Sequence, residues 1–74
     1  MTNAEVDAVA KLLSWEVAIK KDPTTHGNWV YVIEHEKQAI FVNWGHRSRL
    51  TAIGLGAKHL REVVLQTLGE NHGI

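Results

Sequence analysis

A single histidine, His26, stands in the turn-forming stretch "DPTTHGN", shortly after two lysines and directly before an apolar, β-branched run. Imidazole exchanges protons near neutral pH, and nearby cations stabilise negative charge that develops on a phosphate. Such groups can cleave RNA without a metal, because the 2′-hydroxyl of RNA attacks the adjacent phosphate once a base removes its proton. We therefore predict that His26 is a catalytic acid or base and that Lys20 and Lys21 hold phosphates. A histidine that serves only as a turn residue is the alternative interpretation.

The charges of this neutral chain are unevenly distributed. All eight carboxylates lie at or before Glu36 or at or after Glu62, so the charged residues within 37–61 are all lysines and arginines. This distribution predicts contact with an anionic partner, and a solvated basic face is the alternative. Within this segment we assign four side chains to RNA or phosphate binding: Arg47, Arg49, Lys58 and Arg61.

Several kinds of chemistry are not supported. The five histidines are nine or more positions apart and the chain has no cysteine, so we predict no metal site. No Gly-x-Gly-x-x-Gly or phosphate-loop spacing occurs, so we expect no cofactor. The amino terminus lacks the basic start and apolar centre of a signal peptide, and no apolar run is long enough to span a membrane. We expect a cytoplasmic protein without a membrane partner.

The elements that must position these residues follow from hydrophobic periodicity. Apolar residues three and four positions apart predict a helix over 3–13, after a capping box of Thr2 and Glu5. Alternation over residues 15–20 predicts a strand, although the same residues are also able to extend the helix. The stretches "WVYVIEH" and "QAIFVNW" predict a hairpin that turns at Glu36 and Lys37.

The remaining third of the chain is predicted as a loop followed by a helix. Residues 45–56 contain Gly54 and Gly56 and are predicted to be an irregular basic loop, and the stripe from Leu60 to Leu68 predicts a helix that Gly69 ends. The order α-β-β-β-α predicts one α+β domain over residues 1–74, with a three-stranded antiparallel sheet covered on one face by two helices.

A chain of 74 residues buries only a modest core, so oligomerisation or a partner often adds stability. Three tryptophans in so short a chain suggest that an aromatic side chain also serves an interface. We assign Trp29 and Trp44 to a partner interface, and a homodimer is one expected assembly. The alternative is that at least two of the three tryptophans are buried in the core.

Taken together, the elements and several short motifs resemble HicA, the messenger-RNA interferase toxin of bacterial HicAB toxin–antitoxin systems, whose fold is similar to double-stranded-RNA-binding domains. In "LLSWEVAIKKDPTTH", Ser14-Trp15 stands for the Gly-Trp of that family, the lysines stand for its basic residues, and Thr25-His26 for its Ser-His. The stretches "NWGHRSR" and "GAKHLREVVLQTLG" are similar to its loop histidine and to the start of its last helix.

The resemblance implies that His26 is catalytic, that messenger RNA is the substrate, and that a cognate antitoxin is a protein partner. It also implies auxiliary roles for Thr25 and His46. The chain departs from the family in having Thr24 where the glycine before Ser-His would stand, in lacking the proline of the loop, and in spacing Gly56 and Leu60 one residue too far apart.

A different class of function fits the same sequence. The chain is neutral and short, which favours a non-catalytic binding protein, such as a phage-type inhibitor or adaptor. Such a protein would dock on a host protein complex or on RNA through its basic loop and an exposed tryptophan. RNA binding without cleavage is a third hypothesis, which steep salt dependence of binding distinguishes from an aromatic-anchored interface.

Overall fold

The computed structural model describes residues 2–25 and 28–72 and confirms the predicted α-β-β-β-α order. The strands form one antiparallel sheet in the order β1-β2-β3. In the described ranges no helix combines the length and apolar character needed to cross a membrane. The elements are α1 (Asn3–Leu12), β1 (Trp15–Asp22), a 3-10 turn (Pro23–Thr25), β2 (Asn28–His35), β3 (Gln38–His46) and α2 (Arg49–His72).

The amino-terminal helix begins and ends where its local chemistry dictates. The Thr2 hydroxyl accepts the backbone N–H of Glu5, and the Glu5 carboxylate accepts the backbone N–H of Thr2, which completes the predicted capping box. Ser14 then takes a positive φ of 63°, which ends the helical path and turns the chain into β1. Extension of the helix through residues 15–20 is therefore wrong, because these residues pair with β2 from Trp15 opposite His35 onward.

The hairpin between β2 and β3 turns at the predicted residues without the usual glycine. Glu36 and Lys37 both adopt positive φ, 52° and 68°, as the two central residues of a type I′ turn do. The β2–β3 register shifts twice, and the extra residues on β3 are Ile40 and Gly45. These bulges bend β3, which is one edge of the sheet.

The predicted irregular loop over residues 45–56 is wrong for most of its length, because α2 already begins at Arg49. Ser48 precedes the helix, and its hydroxyl accepts the backbone N–H of Thr51. Gly54 and Gly56 therefore lie inside a helix. The helix also continues past Gly69 to His72, because glycine inside a helix costs only about 1 kcal/mol and does not by itself end it.

Both helices cover one face of the sheet. The α2 helix packs on all three strands and on α1, and the residues it turns inward recur every four positions. Val6 and Ala10 of α1 are buried against Val64 of α2, with Trp15 at the edge of this cluster, and Ile33 is fully buried in the central strand. The inward residues of α2 are Ala52, Gly56, Leu60, Val64 and Leu68.

The other face of the sheet, here called the open face, has no helix over it. Strand alternation places Val30 and Val32 of β2 on this face, with Val42 and Trp44 of β3 beside them. These four residues and Lys20 border a shallow depression of about 510 Å³.

Candidate functional site

Four predicted phosphate-binding side chains lie at one end of the sheet. β1 ends where β2 begins, with Asp22 opposite Asn28, and β3 ends beside the start of β2, with His46 opposite Trp29. Arg47 and Arg49 follow β3 directly, so they join the two lysines of β1 at this end. All four side chains are exposed, and none forms an ion pair with another residue in the ranges that the structure describes. We call this group, Lys20, Lys21, Arg47 and Arg49, the basic end.

The connection between β1 and β2 also belongs to this end of the molecule. Its first part is a 3-10 turn, and the Asp22 carboxylate accepts both the backbone N–H and the hydroxyl of Thr24, at 2.9 and 2.7 Å. These bonds satisfy donors at the start of the turn. The predicted catalytic His26 lies outside the described residues, as does the side chain of Thr25.

The three tryptophans have different surroundings. Trp15 stacks on His35 at 4.4 Å between ring centroids and packs, partly buried, against the core. Trp29 is half-buried, and the Lys21 ammonium lies 5.8 Å from the centroid of its ring, in cation–π contact. Trp44 is 62% exposed and is therefore the tryptophan best placed to contact another molecule.

A second polar group, which the sequence did not reveal, lies between the sheet and α2. The Tyr31 hydroxyl and His59 Nδ1 are hydrogen-bonded at 2.9 Å, and the Tyr31 ring stacks on His46. His46 Nε2 in turn bonds the side-chain oxygen of Asn43. Burial, and secondarily the negative charge of Glu62, raise the pKa of Tyr31, so its hydroxyl stays protonated at neutral pH.

These side chains line a cleft of about 410 Å³. Each imidazole uses one nitrogen in the bonds described, and the other nitrogen, Nδ1 of His46 and Nε2 of His59, has no bond to a described residue. Lys58, predicted to bind phosphate, also borders the cleft rather than the basic end. The arrangement places two imidazoles and an ammonium around one opening that the Glu62 carboxylate also borders, so groups of both charge types face the same cleft.

Arg61 is bound to another element. Its Nε and Nη2 donate to the two carboxylate oxygens of Asp7 at 2.9 and 3.0 Å, so it links α2 to α1. This bidentate bond lowers the pKa of Asp7 and raises the pKa of Arg61. We therefore place Arg61 among the residues that hold the helices together rather than in the basic end.

A depression of about 760 Å³ lies at the opposite end of the sheet between α1 and the hairpin turn. Its rim carries both signs of charge, among them Asp7, Lys11 and Glu36, and no histidine. We attach no chemistry to it.

Within the described residues no group of three or more histidines, cysteines or carboxylates is arranged to hold a metal ion. No protein-family model matches this chain, and no curated protein or solved structure matches it. The features of the structure that bear on function are the basic end, the cleft and the exposed side chain of Trp44.

Proposed function

We propose that this protein cleaves messenger RNA in the cytoplasm without a metal ion, as its resemblance to HicA implies. The observation that carries the proposal is that four exposed cations lie at one end of the sheet, where the connection between β1 and β2 also lies. That end has one carboxylate, Asp22, against four cations, so its local potential is positive although the whole chain is neutral.

The cations and the histidines have separate roles in this proposal. His26 removes the proton of the 2′-hydroxyl or protonates the leaving 5′-oxygen, so that a 2′-O–P bond forms while the P–O5′ bond breaks. The basic end offsets the charge that accumulates on the phosphate oxygens. His46, the last residue of β3, is the auxiliary imidazole at the same end. A cognate antitoxin would inhibit the protein by covering the basic end with acidic side chains.

RNA binding through the basic end is tested by its salt dependence. Binding of a labelled single-stranded RNA is measured over a range of salt concentrations for wild type and for the double variant Arg47→Ala/Arg49→Ala. Each lost phosphate contact reduces the slope of log K against log salt by about 0.7, so the double variant should lose about 1.4. Lys37→Ala, which removes an exposed cation at the opposite end of the sheet, is the matched control and should leave the slope unchanged. Equal slopes for all three proteins would contradict the proposal.

A non-catalytic binding protein is the second candidate, and the observation that favours it is the exposure of Trp44 beside Val42. An exposed aromatic residue next to aliphatic ones is typical of the anchor of a protein interface. In this case a host protein complex is the partner. Its binding changes less with salt than RNA binding does, and Trp44→Ala weakens it more than the arginine variants do.

A further inference from the structure

The cleft between the sheet and α2 has a floor on the strands and a wall on the helix. Tyr31 and Asn43, which are paired in the β2–β3 register, border it from the sheet, and His46 borders it where β3 ends. Four residues at helical spacing border it from α2: Leu55, Lys58, His59 and Glu62. Its volume of about 410 Å³ lies within the range of roughly 300–1,000 Å³ that is typical of small-molecule sites. The cleft is therefore large enough to hold one nucleobase.

Aromatic rings whose orientations are fixed by their neighbours line this cleft. The Tyr31 and His46 rings are stacked, with centroids 5.7 Å apart and planes that differ by 18°. His59 stands nearly perpendicular to Tyr31, at 88°, and lies 4.2 Å from Phe41 between ring centroids. One hydrogen bond from Tyr31 to His59, and another between His46 and Asn43, hold both imidazoles in place. Unpaired nucleobases stack on tyrosine and histidine rings of this kind.

Two exposed groups of opposite charge border the same opening. Lys58 and Glu62 are four residues apart on α2, so they lie on the same side of the helix. Opposite charges at this spacing commonly pair, yet neither side chain forms an ion pair with any residue that the structure describes. A carboxylate accepts hydrogen bonds and an ammonium donates them. The cleft therefore offers a ligand one accepting group and one donating group side by side.

This pair of opposite charges favours one kind of ligand over others. A phosphate group in the cleft would be repelled by Glu62, whereas a neutral base would not. Among the bases of RNA, guanine alone carries two adjacent N–H donors, on N1 and N2, and its O6 and N7 atoms are acceptors that lysine commonly binds. The two carboxylate oxygens match the donors, and the ammonium matches an acceptor. Adenine, cytosine and uracil each place an acceptor next to their N–H donor, so a carboxylate that bound them would face that acceptor.

We propose that the cleft binds an unpaired guanine base of RNA, with Glu62 accepting hydrogen bonds from N1–H and N2–H and Lys58 donating one to O6. A base preference of this kind rests on the proposed function, because it takes RNA as the substrate. Arg47 of the basic end directly follows His46 of the cleft, so a nucleotide whose base is in the cleft has its phosphate near the basic end. Contacts to phosphate then position the RNA, and the contact to guanine gives a sequence preference.

An NMR titration of the isotope-labelled protein with each of the four nucleoside 5′-monophosphates tests this site. The four ligands share a phosphate and differ in their bases, so a difference in affinity reports recognition of the base. GMP should bind at least about fivefold more tightly than AMP, CMP or UMP, which is the lower limit expected of a bidentate contact to a base. It should also shift the amide signals of Asn43 and His59. Inosine 5′-monophosphate, which lacks the N2 amino group, should bind with intermediate affinity.

Glu62→Gln should remove the preference for GMP, because an amide has one accepting oxygen where the carboxylate has two. The affinity for GMP should fall at least about fivefold, toward that for AMP, while the affinity for AMP should not change. Glu16→Gln is the matched control: Glu16 is an exposed carboxylate on β1, away from the cleft, and its substitution should leave both affinities unchanged. A far-UV circular dichroism spectrum identical to wild type shows that each variant is folded.

Three results would overturn the guanine site. One is that GMP shifts no signal of a cleft residue at millimolar concentration, and another is that all four nucleotides bind equally. The third is that Glu62→Gln binds GMP as tightly as wild type does. If RNA still binds with the salt dependence of the basic end, any of these results removes the base preference alone. If GMP binds in the cleft but no RNA is cleaved, the cleavage activity fails and guanine recognition remains.

Discussion

Gly56 of α2 lies directly over Tyr31 of β2. A Cβ atom at position 56 would be 2.8 Å from Val17 Cγ1, a distance that real Cβ atoms essentially never show. It would also be 3.1 Å from the Tyr31 Cβ, which is tighter than nine in ten real Cβ contacts. The absence of a side chain therefore allows α2 to lie close to the sheet. The same close approach accompanies the hydrogen bond between Tyr31 and His59, three residues farther along the helix.

Gly56→Ala should destabilise the fold although alanine favours helix. The clash with Val17 and Tyr31 costs about 1–3 kcal/mol as overpacking, and the gain in helix propensity returns about 1 kcal/mol of it. The free energy of unfolding, measured in urea, should fall by up to about 2 kcal/mol. Gly54→Ala is the control, because a Cβ there meets no atom within 4 Å, and it should raise stability by up to about 1 kcal/mol. Equal effects of the two substitutions would show that α2 does not approach the sheet this closely.

Tyr31→Phe should remove one part-buried hydrogen bond and little else. The ring remains to stack on His46 and Phe41, so the free energy of unfolding should fall by about 1 kcal/mol. A double-mutant cycle with His59→Ala isolates the bond. The double variant should lose less free energy of unfolding than the sum of the losses of the two single variants. Strict additivity would mean that the hydroxyl and the imidazole do not interact.

The bond between Asp7 and Arg61 should make stability depend on acid. The arginine lowers the pKa of Asp7 below its ordinary value of 3.8, so the contribution is complete above that value and disappears as the pH falls through the lowered pKa. Wild type should therefore be more stable than Asp7→Asn at neutral pH, and the difference should shrink below about pH 4. Added salt should also reduce the stability difference between wild type and Asp7→Asn, because the Asp7 side chain is half exposed. In an Arg61→Gln background, Asp7→Asn should change stability by an amount that does not vary with pH in this way. A pH dependence that persists there would show that the ion pair is not its source.

Local patterns were sufficient to predict much of the fold. The capping box, the alternation of β1 and the apolar hairpin strands all depend on residues close in sequence. The start of α2 could not be predicted in this way. Gly54 and Gly56 indicate a loop by propensity, yet the sheet beneath Gly56 requires a residue without a side chain, and that requirement depends on contacts with Val17 and Tyr31 far away in the chain.

Part of the candidate site could likewise be predicted from the sequence, and part of it depends on contacts between distant residues. The topology alone brings Arg47 and Arg49 to the lysines of β1, because antiparallel neighbours share their ends. The bond between Arg61 and Asp7 joins residues 54 positions apart, and the bond between His59 and Tyr31 spans 28 positions. Hydrophobic periodicity does not indicate contacts between residues so far apart in the sequence. The prediction that Arg61 binds phosphate therefore did not take its contact with Asp7 into account.

The measurement that tests the proposed function most directly is cleavage of a structured messenger RNA by purified protein in the presence of EDTA. Wild type should produce fragments that end in 2′,3′-cyclic phosphates, which mark attack by the 2′-hydroxyl. His26→Ala, purified in parallel to control for contaminating nucleases, should cleave at least about 100-fold more slowly, as expected for loss of a general acid or base. No cleavage by the wild type, or equal cleavage by both proteins, would contradict the account.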